Sequence, residues 1–167
     1  MLGAIIGDIV GSIYEFNNHR SKKFELFDSR STFTDDSVLS FATAKVLLDG
    51  TDYAQTYQEF ARRYPGRGYG GNFSLWIHSE NALPYNSFGN GSAMRVSPVG
   101  FAYNTLEDTL KEARRSAMVT HNHPEGVKGA QAVACAIFLA RSGENKTSIK
   151  REITSRFEYD LSQPIET

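Results

Sequence analysis

The sequence predicts an all-α protein, a compact orthogonal multi-helix bundle. Three observations carry that expectation. Apolar residues recur at three- and four-residue spacing through most of the chain, helix-starting and helix-stopping residues punctuate those stretches, and no stretch sustains the period-two alternation of a half-buried strand. The 167 residues suit one compact domain, residues 1–167, with enough length to bury a core.

The first helix is predicted over residues 2–15, where Ile5/Ile6, Ile9/Val10 and Ile13/Tyr14 recur every four residues. Gly3, Gly7 and Gly11 lie on it four apart, a side-chain-free stripe suited to close approach of another backbone. Without such packing each glycine costs about 1 kcal/mol relative to alanine. Asp8, Ser12 and Glu15 share a further face, a polar strip on an otherwise apolar helix.

A second helix is expected over 35–49, with Thr34 as N-cap and Gly50 just past its end. Asp52 can cap a third, running through Tyr53, Tyr57, Phe60 and Tyr64 until Pro65-Gly66 stops it. GRGYGG at 66–71 is a glycine-rich loop, and residues 72–79 form a short helix carrying Phe73, Trp76 and Ile77. Residues 81–91 are irregular and close in SFGNG. Thr105 opens a capping box and a helix to about Met118. Pro124 suits the first turn of the next, with its stripe at Val127, Ala130, Val133 and Ile137 and its end at Gly143. Thr147 starts a last helix through Ile149, Ile153, Phe157 and Leu161.

Composition narrows the function classes. The formal net charge is −1, so no global basic field recruits nucleic acid or an anionic membrane. No run approaches the roughly 18 apolar residues of a membrane span. The N-terminus lacks a basic region and carries Asp8, unlike a signal peptide. The lone cysteine, Cys135, sits among alanines and aliphatics and reads as a small buried residue. A cytoplasmic location is the expectation.

Four short stretches can carry chemistry. Thr34-Asp35-Asp36 is either an acidic helix start or a set of hard oxygen ligands for Mg²⁺, Ca²⁺ or Mn²⁺. A cation would let two adjacent carboxylates stay ionised together. Ser87-Phe88-Gly89-Asn90-Gly91 can present backbone N–H groups to an anion such as phosphate, or can be an ordinary tight turn. Arg95, just beyond, suits a phosphate, a carboxylate or a structural ion pair. The loop at 66–71 adds Tyr69, an aromatic able to stack on a base, although a plain connector has the same composition. In Thr120-His121-Asn122-His123-Pro124 an imidazole can contact an anionic ligand, or His123 or Asn122 can cap the helix that follows. Glu15 is either a candidate general base or a solvated helix end.

Taken together, five segments in order resemble the ADP-ribosylglycohydrolase family: GAIIGDIVGSIYE, TFTDDSVL, GRGYGG, PYNSFGNGSAMRVSP and SAMVTHNHPEGVKGAQAVACAI. The resemblance implies an all-α fold, a pair of divalent cations (Mg²⁺ or Mn²⁺) and cleavage of the glycosidic bond between ADP-ribose and an acceptor. It implies Thr34, Asp35 and Asp36 as metal ligands, with Glu15 as the catalytic carboxylate near them, or else Asp36 or Asp35 acting as base while ligating a metal. Gly68, Tyr69, Gly70 and Gly71 would line the ribose and adenosine side. Ser87, Phe88, Gly89, Asn90 and Gly91 would cradle diphosphate and ribose, and His121 would face the diphosphate. Cleavage at an anomeric carbon passes through an oxocarbenium-like state that needs a water, a carboxylate base and nearby negative charge.

The chain departs from the family pattern at one place. The second metal motif, Gly-[GD]-Asp-x-Asp-[ST], has no counterpart after Asp160. The expectation is therefore half a metal cage, impaired turnover by this chain alone, missing final helices, and exposed apolar surface that favours a homo-oligomer or a complementing chain. Two other functions stand beside the hydrolase: a non-catalytic ADP-ribose or nucleotide binder, and an inactive structural remnant.

Overall fold

The computed structural model describes residues 1–17 and 19–162. Gln163 to Thr167, the last part of the stretch that lacks the second metal motif, lie outside the described residues. The described residues form helices and loops without a β-strand. The helices are α1 (Leu2–Gly11), α2 (Asp35–Asp49), α3 (Tyr53–Arg63), α4 (Gly71–Trp76), α5 (Gly91–Met94), α6 (Val99–Ala102), α7 (Leu106–Met118), α8 (Pro124–Arg141) and α9 (Lys146–Phe157). None is long and apolar enough to cross a membrane.

Local chemistry sets most of the starts. The Thr34 side chain accepts from the Asp36 N–H, Asp52 from Gln55, Thr105 from Asp108, His123 from Glu125 and Asn145 from Ser148. Each cap satisfies one donor that the first helical turn leaves free. Gly50 ends α2 in the left-handed conformation, with φ of 69°.

α8 is the central element and packs against α5, α6, α7 and α9. Between α7 and α8 lie Val96, Val99, Ala113, Ala117, Val127, Ala130 and Ala134. A second cluster joins α2, α3 and α4 through Leu39, Val46, Tyr57, Phe73 and Trp76. On the far side of α8, Ala132 and Cys135 meet Ile153 and Phe157, so the cysteine is the buried apolar residue expected of it.

Several boundaries differ from the sequence expectation. α1 ends at Gly11 and continues as a 3-10 turn over Ser12–Tyr14 rather than as α-helix to Glu15. There the Ser12 hydroxyl donates to the Ile9 carbonyl, and the tighter turn follows. The glycine stripe is not a packing surface: a Cβ at Gly3, Gly7 or Gly11 would meet nothing within 4 Å. α9 starts after Asn145 rather than at Thr147 and stops at Phe157, because Glu158 turns left-handed with φ of 58°. Leu161 continues the apolar period but lies beyond that stop. α6 is a short helix that the sequence reading did not isolate.

Candidate active site

The two acidic segments meet at the start of α2. Asp8, on α1, accepts four hydrogen bonds there: from the Thr34 N–H at 2.9 Å, the Thr34 hydroxyl at 2.5 Å, the Ser37 N–H at 3.1 Å and the Ser37 hydroxyl at 2.5 Å. This one carboxylate ties α1 to α2 and, together with the Thr34 hydroxyl, satisfies N–H groups at the start of α2. The Asp36 carboxylate keeps one long contact, 3.5 Å from the Thr34 hydroxyl. Asp8 stands on the polar strip of α1, a position that by itself assigns it no role in the site.

The glycine-rich loop is held against the same place. The Asp35 N–H donates to the Arg67 carbonyl at 2.8 Å, and the Arg67 guanidinium lies 3.8 Å over the Phe33 ring. Gly68 follows with φ of 92°, a conformation that favours glycine. A Cβ there would sit 3.5 Å from an Asp35 carboxylate oxygen and 3.7 Å from a Glu15 one. Gly68 therefore marks where the Glu15 and Asp35 carboxylates converge.

Crowded acids carry an electrostatic cost. Burial first, and then the charges of Asp36 and Glu15, push the Asp35 carboxyl up to about 7. Burial raises Asp36 as well, with Asp8 and Glu15 adding to it. Among the described residues none of Asp8, Glu15, Asp35 and Asp36 forms an ion pair. The donor set is hard oxygen and lacks a countercharge, which suits a divalent cation. Among the described residues, however, no three His, Cys, Asp or Glu side chains form a group able to hold a metal ion.

Opposite this acidic corner stands the SFGNG turn. Its approach is pinned by the Asn86 N–H donating to the Asn122 side chain at 2.7 Å and by the Ser87 N–H donating to the Thr120 carbonyl. The Gly89 N–H donates to the Ser87 hydroxyl, and the buried Ser92 hydroxyl donates to the Gly126 carbonyl at 2.7 Å. Gly126 is needed for this closeness, since a Cβ there would lie 2.6 Å from the Ser87 carbonyl oxygen. The His121 ring packs on the turn, 3.0 Å from where a Cβ of Gly91 would be.

Between the two walls lies a cleft of about 740 Å³, within the range of small-molecule sites. It brings together Glu15, Thr34, Asp35, Asp36, Gly68, Gly70, Gly71, Ser87, Gly89, Asn90, Gly91 and His121. The open stripe of Gly3, Gly7 and Gly11 forms part of its wall, which gives those glycines a place if not the packing role expected. Asp8, Tyr85 and Arg95 also line it; of these the sequence suggests a ligand role for Arg95 alone, beside the alternative of a structural ion pair.

Two expected members stand elsewhere. The Tyr69 hydroxyl donates to the Tyr64 carbonyl and its ring tilts against Phe73, so the aromatic meant to stack on a base packs on the α2–α4 core instead. Phe88 is 75 % exposed, with its ring 5.5 Å from that of His123, and faces an adjoining groove. Arg95 makes no ion pair among the described residues. It is fully buried and donates to the Ser116 carbonyl and the Thr120 hydroxyl. His123 and Asn122 take the capping and pinning roles.

The family model for ADP-ribosylglycohydrolase matches residues 1–163. ADP-ribosylhydrolase ARH3 of Homo sapiens is 30% identical over 182 residues, covering 88% of this chain and 50% of that protein. The Mus musculus protein of that name is 30% identical over 178 residues, covering 86% and 48%, and the Xenopus tropicalis one 29% identical over 175, covering 86% and 50%. The chain spans about half the length of the curated relatives it matches.

Proposed function

Because the chain belongs to the ADP-ribosylglycohydrolase family, we propose that its cleft binds ADP-ribose, free or attached to an acceptor, and contributes to hydrolysis of the glycosidic bond between them. The observation that carries this reading is the pairing of two unlike walls in one cleft. Thr34, Asp35 and Asp36 beside Glu15 form an acidic corner, and SFGNG with His121 faces it. Diphosphate belongs at the glycine turn, where backbone N–H groups and an imidazole are donors. The ribose then reaches the carboxylates.

Thr34, Asp35 and Asp36 would hold Mg²⁺ or Mn²⁺, two ions in the complete family site, and such ions orient ribose hydroxyls and lower the pKa of water. Glu15 is the best-placed base for the attacking water. It is solvent-exposed, lies beside Asp35, and is the acid of this corner not assigned to the cation; Asp36 is the second choice. Both would also stabilise positive charge developing at the anomeric carbon. Turnover by the 167-residue chain is impaired in this reading, because its described residues contain no group of three His, Cys, Asp or Glu side chains able to hold a metal ion.

Substitution tests the reading. With Mg²⁺ present, Asp35→Ala combined with Asp36→Ala should weaken ADP-ribose binding at least tenfold, the size expected when charge-assisted contacts are removed. Unchanged affinity would favour a metal-independent binder. Full metal-dependent release of ADP-ribose from modified protein by the purified chain would overturn the proposed impairment.

A further inference from the structure

Arg95 is an unusual residue to find behind a ligand cleft. Its side chain is fully buried, its guanidinium lies 4.1 Å over the Tyr57 ring, and among the described residues it has no carboxylate partner. Its Nε and Nη1 make no hydrogen bond. Its Nη2 makes two, to the Ser116 carbonyl at 3.0 Å and to the Thr120 hydroxyl at 2.8 Å. The same Thr120 oxygen lies 2.8 Å from His121 Nδ1.

The direction of that last bond follows from counting protons. A hydroxyl has one proton to donate and two lone pairs to accept with. Guanidinium only donates, so Arg95 takes one lone pair of the Thr120 oxygen. Thr120 is fully buried, and among the described residues His121 Nδ1 is the remaining partner for its proton. A buried donor left unmade is costly. The Thr120 O–H therefore donates to Nδ1, which must be bare, and the imidazole proton sits on Nε2. That atom has no hydrogen-bond partner among the described residues and faces the Gly89–Asn90–Gly91 turn, 3.1 Å from where a Gly91 Cβ would be.

We propose that Arg95 and Thr120 are positioning residues that lock His121 as its Nε2–H tautomer, so that the cleft offers a diphosphate a fixed hydrogen-bond donor backed by an unpaired guanidinium charge. The ligand part of this rests on the reading of the cleft given above; the relay does not. Burial and the Arg95 charge also pull the His121 pKa down to about 4, which keeps the ring uncharged while Arg95 supplies the positive field. The arrangement separates two tasks, a neutral directional donor at the surface of the cleft and a buried charge behind it.

Long-range ¹H–¹⁵N correlation spectra of the histidine rings read the tautomer directly, with His121 assigned by its loss in His121→Gln. The parent should show Nε2 protonated and Nδ1 bare near neutral pH. Thr120→Val removes the donor and should shift the ring toward a mixture of tautomers, and ADP-ribose affinity should fall about threefold to tenfold, the worth of one ordinary hydrogen bond. Thr120→Ser should restore both. A parent ring protonated on Nδ1 overturns the relay, and does so even if Thr120→Val fails to fold; an unchanged ring in a folded Thr120→Val overturns it too. A parent with the expected tautomer that binds no ADP-ribose would sink the reading of the cleft and leave the relay standing.

Discussion

Asp35 shows at the residue scale how much the site depends on what is packed around it. Its carboxyl is pushed from 3.8 up to about 7, first by burial and then by Asp36 and Glu15. The consequence for stability has a definite sign. Between about pH 4 and pH 7 the folded state retains a proton that the unfolded chain has given up, so stability falls as pH rises through that window. His121 acts oppositely: its pKa is lowered to about 4, so between there and 6.5 the unfolded chain binds the extra proton and stability rises with pH. The contributions oppose one another in the parent, and a difference measurement separates them. The stability gap between Asp35→Asn and the parent, followed by urea unfolding without divalent ions, should widen from pH 4 to pH 7. A gap independent of pH would contradict buried charge as the cause. At this scale the sequence was legible where the chemistry is local: Thr34, Asp35 and Asp36 are a cap and its first turn. Asp8 and Arg95 were not, since the roles of both are set by partners more than 20 residues away.

The elements were read well where a cap announces them and poorly where packing decides. Thr34, Asp52, Thr105 and Pro124 each mark a start that the structure keeps. The end of α9 was missed because the apolar period runs on to Leu161 while the backbone turns at Glu158. Glycine shows the limit best. Gly3, Gly7 and Gly11 have the spacing of a close-packed face yet meet open space, whereas Gly100 and Gly126 carry no visible pattern and are tightly packed. A Cβ at Gly100 would lie 2.5 Å from Ile137, and one at Gly126 would lie 2.6 Å from the Ser87 carbonyl oxygen. Gly7→Ala should therefore raise unfolding stability by up to about 1 kcal/mol through helix propensity. Gly126→Ala should lower it by about 1–3 kcal/mol through overpacking. Thermal unfolding of the two variants distinguishes these outcomes, and a shift of the same sign in both would contradict the packing assigned to them.

Across the whole molecule the helices are unevenly anchored. α8 is surrounded by four other helices, while α1 contributes no buried residue and packs mainly on α2. Leu2 is 77 % and Ile6 50 % exposed on it, and an apolar groove lined by Ile5, Ile9, Val38, Phe41 and Leu48 runs between α1 and α2. Local opening follows local burial, so amides of residues 2–11 should exchange with solvent faster than those of residues 124–141. Equal protection at low protein concentration would contradict this hierarchy. Protection of α1 that rises with concentration would mean that copies of the chain cover the groove, the self-association expected from the exposed apolar surface. The imbalance matters for function because Asp8 and Glu15 reach the cleft from this least anchored segment. Ligand and cation would then order α1 as well as occupy the site.

The most direct measurement is calorimetric titration of ADP-ribose into the 167-residue chain, once with Mg²⁺ and once with EDTA. Binding with Mg²⁺ and a clear loss of affinity in EDTA are expected, because the carboxylates of the acidic corner repel the ligand's charge until a cation intervenes. Binding that EDTA leaves unchanged, or no binding in either condition, would contradict that expectation.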